Sequence, residues 1–68
     1  MVIRSRPDRE WFERVLAEYR EMPGLRLTLP QAARFWALDV SRCQATLDAL
    51  VAAGQLRRSP KGEYCLRG

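Results

Sequence analysis

Arg42 and Gln44, two positions apart, are residue types that read base edges in a nucleic-acid groove, Arg on guanine and Gln on adenine. Arg57, Arg58 and Lys61 form a second basic group, suited to phosphate oxygens. Residue type alone does not decide either role. The first group equally suits a solvated helix face, and the second a basic hairpin that keeps a sheet edge soluble. Other chemistries have less behind them. The chain has no histidine and two cysteines, Cys43 and Cys65, which form no CxxC pair and have no third or fourth ligand, so no metal site is expected. No nucleophile stands beside a base, no carboxylates pair at a useful spacing and no glycine-rich phosphate loop occurs. Neither catalysis nor a cofactor is therefore expected. Asp8, Glu10 and Glu13 lie close together, and their plain role is solubility and helix capping.

The elements that must position these side chains centre on residues 28–56, TLPQAARFWALDVSRCQATLDALVAAGQL. Leu29, Ala32, Ala33 and Trp36 recur at helical spacing, and so do Val40, Cys43, Leu47, Leu50 and Val51. Thr28 and Gln31 have capping-box spacing, with Pro30 in the first turn, which predicts a helix over 29–37. Leu38-Asp39 make the turn, and Asp39 is a good N-cap for a helix over 40–53, stopped by Gly54 in the left-handed position. Two short helices joined this tightly must cross steeply, as in a helix-turn-helix. Such a unit presents the exposed side of its second helix, most often to a DNA groove. Here that side holds Ser41, Arg42, Gln44, Ala45, Asp48 and Ala49. Its single cation, Arg42, stands between Asp39 and Asp48, and two carboxylates are unfavourable near phosphates.

Before this unit, Trp11, Phe12, Val15, Leu16, Tyr19 and Met22 form one apolar stripe, ended by Pro23-Gly24. Ser5 or Asp8 would cap that first helix. Leu25–Thr28 alternates and reads as a short strand. After the unit, 55–59 and 63–67 read as a hairpin turning at Pro60-Lys61-Gly62. Tyr64 and Leu66 would face the core, and Glu63, Cys65 and Arg67 the solvent. Cys43 falls on a buried stripe as a small core residue. Phe35 lies off its stripe and is expected to be partly exposed, either as a partly covered surface aromatic or as a partner contact or dimer interface.

Sixty-eight residues make one domain over 1–68, with residues 1–4 as a flexible arm. A hydrophobic fraction of 47% suffices for a core, though a chain this short has a thin margin of stability. The net charge of +4 is uneven. Arg4, Arg6 and Arg9 against Asp8 give +2 over residues 1–9, and four Glu against Arg14 and Arg20 give −2 over 10–21. Arg57, Arg58, Lys61 and Arg67 against Glu63 give +3 over 54–68. A basic balance of this kind suits a polyanion. No apolar run is long enough to span a membrane and the N-terminus carries no secretory signal, so a cytoplasmic protein with reduced thiols is expected.

The order helix, strand, helix, helix, strand, strand (mainly α with a small β wing) resembles the winged helix-turn-helix superfamily, in its small bacterial form related in layout to MarR-like and ArsR-like regulators. The likeness rests on Leu27-Thr28, AARFWALD, VSRCQATLDALVAAGQL and the hairpin RRSPKGEYCL, about residues 10–67. It implies that helix 40–53 enters a major groove of double-stranded DNA through Ser41, Arg42, Gln44 and Ala45, with Arg57, Arg58 and Lys61 of wing 55–67 on the backbone. That is the expectation for a transcriptional regulator. A lone domain this small binds one half-site weakly, so a homodimer is expected where binding is specific. The other function open to the sequence is a protein–protein interaction module, which Phe35, the acidic first helix and the sparsely charged third helix would suit.

Overall fold

The computed structural model describes residues 7–67, with side chains from Arg9 onward. The expected Ser5 cap, the Asp8 side chain and the arm over 1–4 lie outside the described residues. Helix α1 (Pro7–Glu21) buries Val15 and Tyr19 completely, and Trp11, Phe12 and Leu16 pack on the core beside them. Met22, expected on the same stripe, is 41% exposed, because the helix has ended and the chain is turning, with the Leu25 N–H donating to the Met22 carbonyl at 2.9 Å. Arg14 lies 5.0 Å above the Trp11 ring, so its cation covers part of an aromatic that the core leaves half open.

Strand β1 (Arg26–Thr28) leads into helix α2 (Leu29–Phe35), and the capping box at the junction is complete. The Gln31 N–H donates to Thr28 Oγ1 at 3.4 Å, and the Thr28 N–H donates to Gln31 Oε1 at 3.0 Å. The helix ends two residues before the expected Ala37. Its stop is a Schellman motif: Leu38 N–H reaches the Ala33 carbonyl at 2.9 Å and Ala37 N–H the Arg34 carbonyl at 3.2 Å. Ala37 takes the left-handed conformation, φ +53°, where glycine is usual. Nothing in the residue type announces this stop, so periodicity alone carries the helix too far. Ala37→Gly is expected to raise unfolding free energy by about 0.5–1 kcal/mol, since alanine is strained there while glycine adds only unfolded-chain freedom. Urea unfolding should show a later midpoint at unchanged slope. An earlier midpoint contradicts the assignment.

Helix α3 (Val40–Ala52) starts on Asp39, whose carboxylate accepts the Arg42 N–H at 3.1 Å. The same stop recurs at its end: Gln55 N–H reaches the Leu50 carbonyl and Gly54 N–H the Val51 carbonyl, both at 3.0 Å, with Gly54 at φ +79°. Cys43, Thr46, Leu47 and Leu50 are buried. Thr46 is the buried polar side chain, and its hydroxyl donates to the Arg42 carbonyl at 3.0 Å. Val40, expected on the apolar stripe, is 51% exposed, because it occupies the first helical position at the corner of the turn.

Strands β2 (Leu56–Arg58) and β3 (Glu63–Leu66) close the hairpin around Ser59-Pro60-Lys61-Gly62. Ser59 Oγ accepts the N–H groups of Lys61 and Glu63, both at 3.2 Å, and Gly62 turns at φ +83°. The sheet is antiparallel in the order β1-β3-β2. The short first strand therefore makes β3 central. Leu27, Tyr64 and Arg58 stand in one row across the sheet, and Arg26, Cys65 and Arg57 in the next. Alternation puts Leu56, Leu66 and the Tyr64 row on the helix-facing side, where they join the core, and the Cys65 row on the outer side. Cys65, expected in solvent, is 6% exposed: an arginine stands directly opposite on each flank, and stems of that length screen a one-atom side chain.

These elements give the winged helix-turn-helix layout, α1-β1-α2-α3-β2-β3, mainly helical with a small sheet. One core joins all three helices to the sheet, and its centre is Tyr19, whose hydroxyl donates to the Tyr64 carbonyl at 2.9 Å. Among the described residues no helix is long and apolar enough to cross a membrane.

Candidate nucleic-acid interface

Ser41, Arg42, Gln44 and Ala45 occupy positions i, i+1, i+3 and i+4 of α3 and share one side of it. All four are exposed, while Cys43, Leu47 and Leu50 hold the opposite side in the core. Their placement is set from both ends. Asp39 fixes the first turn, and the Gly54 stop returns the chain into β2 directly below the helix.

The two carboxylates that flank Arg42 in sequence differ in their surroundings. Asp39 is the N-cap. Asp48 is exposed on α3, near enough to the Tyr64 hydroxyl for its charge to act on it. Burial first, and then the charge of Asp48, push the Tyr64 hydroxyl pKa upward, while Arg58 pulls against them. Arg58 lies over the same ring, 5.8 Å from its centre. The charges of Asp48 and Arg58 thus oppose one another at Tyr64, with the Arg58 cation held over its ring. Helical spacing marks Asp48 as outward but cannot reveal a tyrosine on a later strand, so the sequence alone leaves this proximity hidden.

The wing residues named from the sequence divide between two faces. Arg58 stands on the helix-facing side and Lys61 is exposed at the hairpin tip. Arg57 is one residue along an extended strand and stands on the outer side with Cys65. The structure therefore puts Arg58 on the side of the sheet that faces the helices, α3 among them, and Arg57 on the other.

A second exposed feature lies at the turn between α2 and α3. Phe35 is 49% exposed, as its position off the stripe predicts, and packs edge-on to Trp36 at 5.0 Å. Ala37 and Val40 are exposed near it in sequence, between the exposed charges of Arg34 and Asp39. The Trp36 indole N–H beneath it has no hydrogen-bond partner.

Both cysteines are free thiols and buried. Burial, followed by the charge of Asp39, raises the Cys43 thiol pKa, which keeps it protonated and unreactive. No group of three or more His, Cys, Asp or Glu that could hold a metal occurs among the described residues. Compared with protein-family models, with curated proteins and with solved structures, the chain finds no match.

Proposed function

We propose that this chain is a DNA-binding domain of the winged helix-turn-helix type, a transcriptional regulator acting in the cytoplasm by binding rather than by catalysis. Helix α3 enters the major groove with Arg42 and Gln44 on base edges and Ser41 and Ala45 beside them. Arg58 and Lys61 hold the backbone. The observation that supports this most is the exposed Ser41-Arg42-Gln44-Ala45 side of α3, with Asp39 engaged as the N-cap and Arg58 held over the Tyr64 ring on the helix-facing side of the sheet. Specific recognition of a two-fold site requires a homodimer, because one small module reads only a half-site. The test is the affinity for duplex DNA as a function of salt. The two phosphate contacts, Arg58 and Lys61, predict a slope of log K against log salt of roughly −2, at about 0.9 per contact. A flat dependence removes the reading.

One observation favours a second reading. The exposed Phe35, with Val40 near it, suits a protein partner, either another protein or a second copy of the chain. In that case a complex captured from lysate survives nuclease treatment, and Phe35→Ala abolishes it without changing the affinity for DNA.

A further inference from the structure

Arg57 is the basic wing residue that the α3 surface does not absorb. Its row across the sheet is Arg26, Cys65, Arg57, and Arg67 follows on the same face, two residues beyond Cys65. The backbone fixes all three arginines. Arg26 and Arg57 lie in strands, and the Arg67 N–H donates to the Gln55 carbonyl at 3.0 Å, which extends the ladder by one residue. All three are exposed. Arg57 and Arg67 share one open cleft of about 620 Å³ with Arg58 and Leu66, at the β2 edge where the two sides of the sheet meet. Strands lie about 4.8 Å apart, so Arg26 and Arg57 stand on a patch roughly 10 Å across. Glu63, toward the hairpin tip, is the carboxylate that alternation puts on this face. The face is turned away from the helices, and so from the duplex that α3 would hold.

We propose that this outer face of the sheet, Arg26, Arg57 and Arg67, is a second site for the phosphate backbone of duplex DNA, and that one protein molecule thereby bridges two duplexes. The inference rests on the DNA-binding reading of α3. Charge complementarity selects the occupant. Three cations around the uncharged Cys65, with Glu63 set apart toward the hairpin tip, suit several phosphates of one strand, and they offer no donor–acceptor pattern that would distinguish bases. A second copy of the chain is the poorer fit. Its most acidic element, α1, carries Arg9, Arg14 and Arg20 among Asp8, Glu10, Glu13, Glu18 and Glu21, so three of its five carboxylates are offset by cations of the same helix.

The test uses the whole chain with two unrelated duplexes, one on beads and one fluorescent, at about 50 mM salt. The wild type should retain the fluorescent duplex. Arg26→Gln/Arg57→Gln/Arg67→Gln should lower retention at least about tenfold while its affinity for a single duplex changes less than about threefold. Glutamine keeps most of each stem over Cys65, and circular dichroism checks the fold. Should the triple variant unfold, Arg26→Gln/Arg67→Gln carries the same comparison. Binding of one duplex without retention of the second overturns the inference and leaves the α3 reading standing. So does retention equal in wild type and variant, which marks bridging by a protein dimer. Equal loss of single-duplex affinity and retention makes the sheet the primary site and overturns the assignment of two. Failure of the wild type to bind any duplex overturns both readings.

Discussion

Leu50→Ala is expected to lower the free energy of unfolding by about 3–5 kcal/mol. Leu50 has no exposed surface, and it lies in α3 where that helix meets α1 and the sheet, with Leu47 one turn away. A chain of 68 residues has a total stability of roughly 3–10 kcal/mol at ordinary values per residue, so this one truncation removes a third of it or nearly all. Leu50 also contributes its carbonyl to the Gly54 stop, which a side-chain truncation leaves in place. The loss is therefore one of packing. Urea unfolding followed by tryptophan fluorescence should find the variant mostly unfolded or with a midpoint far below wild type. Val40→Ala, on the same helix but half exposed, should change stability by less than about 0.5 kcal/mol. A Leu50→Ala loss under about 1 kcal/mol would contradict the described core.

Tyr19 carries the second large effect. Its ring is fully buried between α1, α2 and the sheet, with the Trp36 ring 6.0 Å away. Tyr19→Ala is expected to cost about 3–5 kcal/mol, as for other buried aromatics. Tyr19→Phe keeps the ring and removes one hydrogen bond, and should cost about 1 kcal/mol at neutral pH. The Tyr64 carbonyl is not orphaned by that change. Ser59 bonds Glu63 across the hairpin, so antiparallel alternation turns the polar groups of Tyr64 toward Leu27 of β1.

The same hydroxyl makes stability fall in alkali. Burial foremost, then the charges of Cys65, Cys43 and Tyr64, raise the Tyr19 pKa well above its ordinary value. A raised folded-state pKa means that the unfolded chain releases its proton first. The stabilisation is then complete below the ordinary tyrosine range, near pH 10, and is lost as the pH climbs through the folded value. Tyr64 and Cys43 are shifted in the same direction, the thiol from an ordinary value near 9. Stability should be level from neutral to roughly pH 8–9 and fall steeply above it. Tyr19→Phe removes one of these protons, so its slope between about pH 10 and 12 should be shallower by up to about 1.4 kcal/mol per pH unit. Identical alkaline slopes for the two proteins would contradict the burial of that hydroxyl.

How much of this can be read from sequence depends on whether a residue's role is local. Thr28 with Gln31, Asp39 and Gly54 act within a few positions of themselves, so their types announce the caps and the second stop. Ala37 does the work of Gly54 without the glycine, which is why α2 ends early. Cys65 is buried because β1, nearly forty residues earlier, pairs beside it and makes β3 central. Period-two alternation assigns its face correctly but not its cover. The site divides in the same way. Helical spacing alone sets the exposed side of α3, and the structure has it there. The division of Arg57 from Arg58, and the nearness of Asp48 and Arg58 to Tyr64, depend on strand register and on the approach of distant segments.

The central claim is that α3 and the wing hold DNA, and the most direct measurement is duplex affinity at several salt concentrations for wild type and two variants. The expected wild-type result is a linear fall of log K with log salt, near a slope of roughly −2. Arg58→Gln should weaken binding of all duplexes alike and lower the slope by about 1, because its contact is to phosphate. Arg42→Ala should cost about 1–3 kcal/mol on a preferred duplex and much less on others, because its contact is to a base. Affinity independent of salt, or unchanged in both variants, would contradict the claim.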